Sequence, residues 1–368
     1  MQTVASVIGY LDQFAPRSIA EDWDNVGLLL GDRKGKAERA LTCLTITPDV
    51  VQEAVDNKVD LIVTHHPILF RGAKRLTSDT TEGRMLLSLI QANIAVYSPH
   101  TAFDNTRGGI NEMLAQRLGL TDVSPMRPGN ESASCKIVVF VPEGDLDPVS
   151  QAMFRAGAGR IGEYSQCSFR VSGVGTFQGS EHSNPTIGKP GRREEVDEMR
   201  LEVVCPQRRI DAVVKAMREA HSYEEPAFDV YLLRKETSET NGSGRIGKFS
   251  KAITLQNAAE LTRKELNSGP VQVVGKMTKK VQSVAICCGA GGEMLSDAIR
   301  ARVDVFLTGE MRFHDYLRAE AEEIGLILPG HYATERFAVV ELVSRLKEQF
   351  PEVEVSASEQ DLDPVKWV

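Results

Sequence analysis

The sequence predicts an α/β fold, in which two α/β halves with mainly parallel sheets form one body and an α+β domain of ferredoxin-like pattern is inserted between them. Three observations support this prediction. Helix and strand patterns alternate over the first third of the chain, and the alternation returns over the last third. Between these thirds, the predicted elements follow the order β-α-β-β-α-β. The predicted domains are residues 1–127, 128–245 and 246–368.

The first predicted half opens with a helix over residues 4–14, where apolar residues recur at helical spacing before a proline. The segment AEDWDNVGLLLGD then runs from a polar turn into a short apolar strand. Thr47 and Pro48 predict the start of a helix that reaches about Asn57, because threonine caps helices and proline suits the first helical position. The remaining predicted elements are strands over 40–47, 61–64 and 94–98 and helices over 84–92 and 109–118.

The last third repeats this alternation without a detectable sequence repeat. Because strands and helices alternate singly, the pattern favours a mainly parallel sheet with helices on both faces. The predicted helices cover 255–266, 293–300, 316–324 and 335–349, and the predicted strands cover 271–274, 281–288, 303–308, 326–328 and 353–355.

The middle region has a different pattern, with exposed-face alternation in its strands. Two polar segments, MRPGNESAS and RKETSETNGSG, bound it and are interpreted as its left boundary and its right linker. The predicted strands cover 136–141, 169–177, 199–204 and 227–233, and the predicted helices cover 147–156 and 207–220.

Composition and charge exclude several classes of partner. Of the 368 residues, 42% are hydrophobic and 26% are charged, which is ordinary for a globular protein. The formal net charge of −8 gives no overall attraction to nucleic-acid phosphates or anionic membranes, so we expect no nucleic-acid partner. No apolar run reaches the roughly 18 residues that span a bilayer, so we expect no membrane partner.

Cysteine usage and the N-terminal segment indicate the cytoplasm. Six cysteines without a CxxC pair do not form a disulfide framework, which fits a reducing compartment. The segment MQTVASVIGYLDQFAPRS lacks the basic start and long apolar stretch of a signal peptide. We interpret Cys43, Cys287 and Cys288 as small buried hydrophobic residues.

Histidines and carboxylates follow predicted strands at two places in the first half. His65 and His66 are adjacent in THHPILF, at the end of the strand over 61–64. His100 and Asp104 follow the next strand, in YSPHTAFDN. Because the carboxyl ends of parallel strands form a common crevice, we expect these groups to lie together, with each neighbouring histidine serving a different ion. The alternative interpretations are a structural histidine pair and a turn or cap role for Asp104.

The second half supplies a third group in PGHYATERF. His331 follows the strand over 326–328, and Glu335 lies four residues later, where a helix is predicted to begin. That spacing lets an imidazole and a carboxylate converge on one side of a helical turn. The alternatives are a loop histidine and a first-turn acid that complements the helix dipole.

Together these segments predict a metal site. Mixed nitrogen and oxygen ligands suit Zn, Fe, Mn, Co or Ni without choosing among them. The set is larger than one tetrahedral site with an open position requires, and two ions about 3.5–4 Å apart fit it better. We therefore expect two divalent ions per chain, with Zn, Fe or Mn as the leading elements. Such a pair acidifies a bound water, which is hydrolase-type chemistry.

Three other groups are weaker candidates. Glu310 and His314, in TGEMRFHDYL, are candidate proton-transfer groups and together with Asp315 could equally form a polar helix start. The segment EDWDNVG offers further polar residues to the same crevice: Asp22, Asp24 and Asn25. CGAGGEML is a glycine-rich turn that could bind an anion, although it lacks the lysine and the serine or threonine of a P-loop.

The order and spacing of these motifs resemble a known family. DNVGLLLGD, THHPILF, SPHTAFDN, LTGEM and PGHYATE are similar to segments of the GTP cyclohydrolase I type 2 homologues, also called Nif-three-like proteins. The middle region resembles the CutA/PII-like insert of the longer bacterial members, through GRIGEYSQCSF, HSYEEPAFDVY and GSGRIG. Ser222 departs from the HPYEE expected there.

The resemblance implies a dinuclear site and an assembly. It implies that His65 and Asp104 bind one ion, that His66 and His331 bind the other, and that Glu335 bridges the two. His100 is placed as a weak ligand or a neighbour of the ligands. A toroidal homohexamer, with metal sites facing an internal cavity, is also implied.

Two classes of function follow. The first is a metal-dependent hydrolase or cyclohydrolase acting on an unknown small substrate, with Glu310 or His314 moving protons. The alternative is a non-enzymatic metal-handling or regulatory ring, whose insert senses a ligand or docks a partner. A third interpretation treats the insert as a lid or spacer for assembly.

Overall fold

The computed structural model describes residues 2–130, 134–234 and 237–366. It is a mixed α/β structure with several sheets and forms two compact units. Unit 1 combines Met1–Gly129 with Ser238–Val368, and unit 2 comprises Asn130–Thr237. In the described ranges, no helix has the length and apolar character that crossing a membrane requires.

The N-terminal part of unit 1 alternates short strands with helices. Its helices are α1 (Val4–Phe14), α2 (Pro48–Asp56), α3 (Thr81–Gln91), α4 (His100–Asn105) and α5 (Ile110–Arg117), and its strands are β1 (Gly27–Leu30), β2 (Arg39–Cys43), β3 (Leu61–Thr64), β4 (Ala95–Ser98) and β5 (Thr121–Asn130). Thr47 caps α2 by accepting a hydrogen bond from the Val50 amide, and Pro48 occupies the first turn, as the sequence predicts.

Unit 2 follows the order β-α-β-β-α-β. Its elements are β6 (Ser134–Pro142), α6 (Leu146–Arg155), β7 (Phe169–Gln178), β8 (Arg193–Pro206), α7 (Ile210–Ala220) and β9 (Phe228–Leu232). The strands form one sheet in the order β7-β8-β6-β9, and each neighbouring pair is antiparallel. Ile137, Val139 and Leu201 share a core with α6 and α7, so the helices cover one face of the sheet.

The C-terminal part of unit 1 contains the remaining elements. They are β10 (Thr237–Thr254), α8 (Leu255–Glu265), β11 (Gln272–Val274), β12 (Lys280–Cys287), α9 (Leu295–Arg300), β13 (Val305–Thr308), α10 (Phe313–Ala321), β14 (Gly325–Leu328), α11 (His331–Gln349) and β15 (Glu354–Ala357).

Unit 1 contains two sheets, each with helices on both faces. The first has the order β1-β4-β3-β2-β15, in which β4, β3, β2 and β15 are parallel. Leu61 and Val63 of β3 pack in the core that contains α1 and α11, whereas Ile62 packs in the core against α2 and α3. Because neighbouring strand residues point to opposite faces, this apolar strand is buried on both sides.

The second sheet has the order β11-β14-β13-β12-β10-β5. Strands β12, β13 and β14 are parallel, whereas β11 and β10 pair antiparallel with β14 and β12. Leu307 of β13 packs on the side of α5 and α8, and Phe306 packs on the side of α9 and α10.

The two sheets do not coincide with the predicted sequence halves. β15, from the C-terminal end, pairs with β2 of the first sheet, and β5, from the N-terminal part, lies at the edge of the second. The segment expected as the right linker largely belongs to β10, and part of the expected left boundary belongs to β5. Residues 131–133 and 235–236 of those two segments lie outside the described residues.

Candidate metal centre

His65 and His66 stand at the carboxyl end of β3. Their amides donate hydrogen bonds to the carbonyl oxygens of Cys43 and Leu44, at 3.0 and 2.8 Å, so the parallel register continues beyond the strand. The pairing fixes both backbones at the sheet edge. The His65 residue is 2% exposed, whereas 26% of the His66 side chain is exposed.

The neighbouring strand β4 delivers His100 and Asp104 through α4, a short helix that the sequence analysis did not predict. His100 begins α4 with a φ of +30°, a strained value for a residue with a side chain. Its ring Nδ1 lies 2.7 Å from Oδ1 of Asp24, whose side chain is fully buried. Thr101 donates backbone and hydroxyl hydrogen bonds to the same carboxylate. Asp24 therefore holds the strained start of α4.

His331 and Glu335 come from one helix. The sequence analysis predicted that a helix begins at Glu335, but α11 begins at His331, immediately after β14. Gly330, with a φ of +102°, makes the sharp turn that permits this early start. The two side chains are thus one helical turn apart, and His331 Nε2 lies 3.1 Å from Glu335 Oε2.

The side chains that follow β3 and β4 and those at the start of α11 converge within unit 1. Glu335 Oε2 lies 3.1 Å from Nε2 of both His66 and His331, and these two nitrogens are 3.3 Å apart. Glu335 Oε1 faces His65 Nε2 at 3.8 Å, and Asp104 Oδ1 lies 3.7 Å from the same nitrogen. All five side chains predicted as ligands therefore lie together.

Two overlapping groups of donor atoms are compact enough to hold a metal ion. The ligand atoms of His66, His331 and Glu335 lie within 4.8 Å of one another, as do those of His65, His66 and His100. The second group makes His100 a candidate metal ligand, and its ring centroid lies 5.1 Å from that of His65.

The surroundings of the cluster fit a cation. Both ring nitrogens of His65 are buried without a hydrogen-bond partner in the described residues, a costly state that a bound cation would relieve. Gly289 has a φ of +62°, and a Cβ there would lie 2.3 Å from Glu335 Oε1 and 3.1 Å from His331 Nε2. Glycine thus keeps the space beside the donors open. Imidazole and carboxylate donors are suited to Zn, Fe or Mn.

Electrostatics keeps the central carboxylate ionised. Burial alone would raise the pKa of Glu335, but the hydrogen bond from His331 and the nearby His65 imidazole outweigh burial and hold this pKa well below its ordinary value. Burial likewise opposes the charge on His331, yet the carboxylates of Glu335 and Glu310 raise its pKa to about 9. For His66, burial dominates and lowers the pKa.

The cysteines beside the cluster are neutral thiols. Burial, followed by the neighbouring Asp104 carboxylate, raises the pKa of Cys288 well above its ordinary value. Its Sγ–H donates to Asp104 Oδ1 at 3.2 Å. Burial also raises the pKa of Cys287. All six cysteines, which lie in the described residues, are free thiols.

The two candidate proton-transfer residues occupy different places. Glu310 Oε1 lies 3.0 Å from His331 Nδ1, and 61% of the Glu310 side chain is exposed. His314 is exposed on α10, where its ring contacts that of Phe313. Helix α10 begins at Phe313, three residues earlier than predicted. His314 therefore lies in the first turn of this helix and not in the cluster.

In the glycine-rich turn CGAGGEML, which the sequence suggested as an anion site, three amides already have acceptors. The amide of Cys288 donates to Asn111, that of Gly289 to Thr334, and that of Gly291 to Thr308. Because these N–H groups already have side-chain acceptors, they are not free to bind an anion.

An exposed aromatic pair adjoins His100. Trp23 is 54% exposed and Phe70 is 48% exposed, with ring centroids 5.8 Å apart. The His100 ring lies 6.1 Å from Trp23 and 6.4 Å from Phe70. The side-chain amide of Asn25 donates to the Leu69 carbonyl, which ties the two loops together.

Two groups orient the histidines without having been predicted in that role. Thr45 Oγ1 lies 2.6 Å from His66 Nδ1, and Asp24 was considered only as a residue lining the crevice. Their proximity to the histidines depends on loop geometry. The DNVG motif is the signal that could have pointed to Asp24.

Comparisons with known proteins identify relatives over nearly the whole chain. A family model described as Duf34/NIF3 (NGG1p interacting factor 3) matches residues 2–364. A protein of Halalkalibacterium halodurans named GTP cyclohydrolase 1 type 2 homolog is 36% identical over 366 residues, covering 99% of this chain and 98% of the relative. A Bacillus subtilis protein of the same name is 34% identical, covering 98% of each chain.

Solved structures agree with these relatives. A Bacillus cereus protein described as related to NIF3 superposes with a TM-score of 0.80 at 33% identity, covering 100% of this chain and 99% of the other. A Staphylococcus aureus protein superposes with a TM-score of 0.81 at 28% identity and the same coverage.

Proposed function

This chain belongs to the Duf34/NIF3 family, and from that premise we propose that it is a cytoplasmic dinuclear metal protein with hydrolase or cyclohydrolase-like activity on a small substrate. One observation carries the proposal. The two carboxylate oxygens of Glu335 face different imidazoles, Oε1 towards His65 and Oε2 towards His66 and His331. A carboxylate between two sets of donors is the arrangement that bridging requires.

The ligand assignment follows from this division. His65, Asp104 and Oε1 of Glu335 would hold one ion, and His66, His331 and Oε2 would hold the other. Two ligand atoms of one tetrahedral ion lie about 3.4 Å apart, given bonds of roughly 2.1 Å. The separations of 3.1 and 3.3 Å in the second set, and of 3.7 and 3.8 Å in the first, are close to that value.

Neighbouring groups would fix the histidine tautomers. Glu310 accepts a hydrogen bond from His331 Nδ1–H, which leaves the Nε2 lone pair for a cation. Thr45 bonds to Nδ1 of His66 in the same way. Glu310, considered above as a proton carrier, therefore orients His331, and its exposure also lets it exchange a proton with solvent.

When bound, the two ions would lower the pKa of a water molecule and polarise a substrate oxygen. The chain's own residues define where a substrate could lie. His100, held by Asp24, faces the donor cluster, and the exposed rings of Trp23 and Phe70 lie beside it. We infer that a substrate approaches the ions past this aromatic pair.

Two further proposals rest on resemblance. The β-α-β-β-α-β order and the antiparallel sheet order β7-β8-β6-β9 support a ferredoxin-like, CutA/PII-like fold for unit 2. The family resemblance supports a toroidal homohexamer. Sedimentation equilibrium giving six chains per particle is the expected result, and a monomer would contradict this proposal.

Metal analysis of anaerobically purified protein tests the site. We expect about two ions per chain in the wild type, because the five donors divide into two sets. Glu335→Ala removes the group common to both sets, so its content should fall to one ion or none. Unchanged content in this variant would contradict the bridge.

The proposed hydrolase activity is tested separately, by measuring turnover. His66→Ala should abolish turnover of any substrate found in a hydrolase panel while the assembly size stays that of the wild type. Glu341→Ala, an exposed change on the same helix as Glu335, serves as the control for metal content and turnover. Metal loading without turnover of any substrate would favour the non-enzymatic alternative.

A further inference from the structure

Unit 2 contains a cavity of about 610 Å³. It lies on the open face of the sheet, because the lining residues Phe140, Val171 and Arg200 are in register across β6, β7 and β8. Their neighbour Leu201 points to the opposite face, into the core that the helices cover. A volume of this size falls within the range of roughly 300–1,000 Å³ that small-molecule sites occupy.

The walls of the cavity are mainly apolar and include three aromatic rings. These belong to Phe140, Phe177 and Tyr223, and the last two have ring centroids 6.2 Å apart. Ile187 and Pro185 contribute further apolar surface. Aromatic faces carry partial negative charge, so they attract cations as well as apolar groups.

The charges of the cavity favour a cation. Glu198 lines it and is half-buried, and the described residues include no cationic group within 4 Å of its carboxylate. The one cationic side chain in the lining, Arg200, already pairs with Glu202 at 2.9 Å. Glu224 adds an exposed carboxylate to the lining, whereas Glu225 pairs with Arg218 at 3.4 Å.

The local structure keeps the Glu198 carboxylate in place. Gly173 is directly opposite Glu198 in the strand pairing, and a Cβ on Gly175 would lie 2.1 Å from Glu198 Oε2. Glycine at position 175 therefore leaves room for the carboxylate in this position. The hydroxyl of Tyr223 is buried in the same lining, and burial, together with the nearby Glu198 carboxylate, raises its pKa. Because no cationic side chain of the described residues pairs with this half-buried carboxylate, a bound cation would offset the cost of its burial.

We propose that this cavity binds an organic ammonium cation, with Glu198 as its counter-ion, the Tyr223 hydroxyl as a hydrogen-bond partner and the aromatic rings around its apolar part. The proposal is independent of the metal centre, because all of its residues belong to unit 2. It gives unit 2 a binding function of its own.

A matched pair of probes tests the charge requirement on the full chain. Calorimetric titration should show saturable binding of 2-phenylethylammonium, whereas 2-phenylethanol, which has nearly the same shape without the charge, should bind about tenfold or more weakly. Equal affinity for the two probes, or no saturable binding of the ammonium, would overturn the proposal.

Two variants locate the binding. Glu198→Gln keeps the shape of the side chain and removes its charge. The ratio of the affinities for the ammonium and the alcohol should therefore fall to about one. Glu195→Gln alters an exposed residue of the same strand and should preserve the preference. A preference that survives Glu198→Gln would place the cation elsewhere.

A third variant, Gly173→Val, fills the cavity without removing a contact. A Cβ on Gly173 meets no atom within 4 Å, so Gly173→Val should fold normally and block both probes. If Gly173→Val instead lowers the oligomer size while neither probe binds the wild type, the cavity is covered by a second copy of the chain and the ammonium site is refuted.

Discussion

At the scale of single residues, Glu335 and His331 depend on each other for their charge states. The Glu335 carboxylate stays ionised although it is buried, because imidazoles surround it. The same carboxylate, together with Glu310, outweighs the effect of burial on His331 and raises its pKa to about 9. A cation that binds this cluster must therefore compete with a proton.

Metal affinity should consequently rise with pH. His331 is protonated below a pH of about 9, and a ligand imidazole must be neutral, so binding displaces one proton. Between pH 6.5 and 8.5, we expect His331 to contribute a rise of about one per pH unit to the logarithm of the apparent zinc association constant. In His331→Gln the slope should decrease by that amount, and an unchanged slope would contradict the assignment.

Gly289 gives a second prediction at this scale. Gly289→Ala should lower the metal content by at least one ion per chain, because its Cβ would lie 2.3 Å from Glu335 Oε1. Gly119→Ala is the matched control, since Gly119 has a similar φ of +66° but no atom within 4 Å of the added carbon. Both variants share backbone strain of about 1–3 kcal/mol, so only the first should lose metal.

At the scale of elements, β10 supports the helix that carries Asp104. Arg245 of β10 is 1% exposed, and its guanidinium donates to the carbonyl oxygens of Gly242 and Gly244 in its own strand. It also donates to the Thr106 carbonyl at 2.8 Å, just beyond the end of α4. The buried guanidinium thereby links a strand to a helix of the metal centre.

Replacing this arginine should destabilise unit 1. Arg245→Met leaves several buried carbonyl groups without their donor and Glu112, 3.6 Å from the guanidinium, without its counter-ion, so we expect the free energy of unfolding to fall by about 3–5 kcal/mol. Arg263→Met, at an exposed position of α8, should change it by less than about 0.5 kcal/mol. Urea denaturation of both variants measures the difference, and equal stabilities would show that the buried network contributes little.

At the scale of the whole molecule, each unit has a hydrophobic core of its own. The core of unit 2 is built from β6, β8, α6 and α7, whereas unit 1 contains four clusters around its two sheets. The proposed metal ligands all belong to unit 1. Metal binding should therefore stabilise the two units differently.

Differential scanning calorimetry should resolve this difference. We expect zinc at a hundredfold excess over its dissociation constant to stabilise unit 1 by about 2.7 kcal/mol, because it binds only the folded form. The transition of unit 1 should move to higher temperature, and a second transition, from unit 2, should stay unchanged. One transition that shifts as a whole would show that the units unfold together.

Much of unit 1 was predictable because its strands are short, apolar and bounded by polar turns. Residues 61–64 are a strand in both prediction and structure, and residues 4–14 are a helix in both. The polar strands were harder, because the segment in β10 has the serine, threonine and glycine content of a linker. This segment is a strand because it pairs with β12, a long-range contact that its composition does not indicate.

Local sequence patterns singled out the five candidate donor side chains and predicted that they follow strands, because strand periodicity and helix signals are local properties. That β15 joins the first sheet and β5 the second became evident only in the folded chain, since strand pairing depends on contacts between distant segments. The folded chain also shows that α11 begins at His331, that Asp24 holds His100 and that His314 lies apart. Distances between side chains follow from packing, which no local pattern encodes.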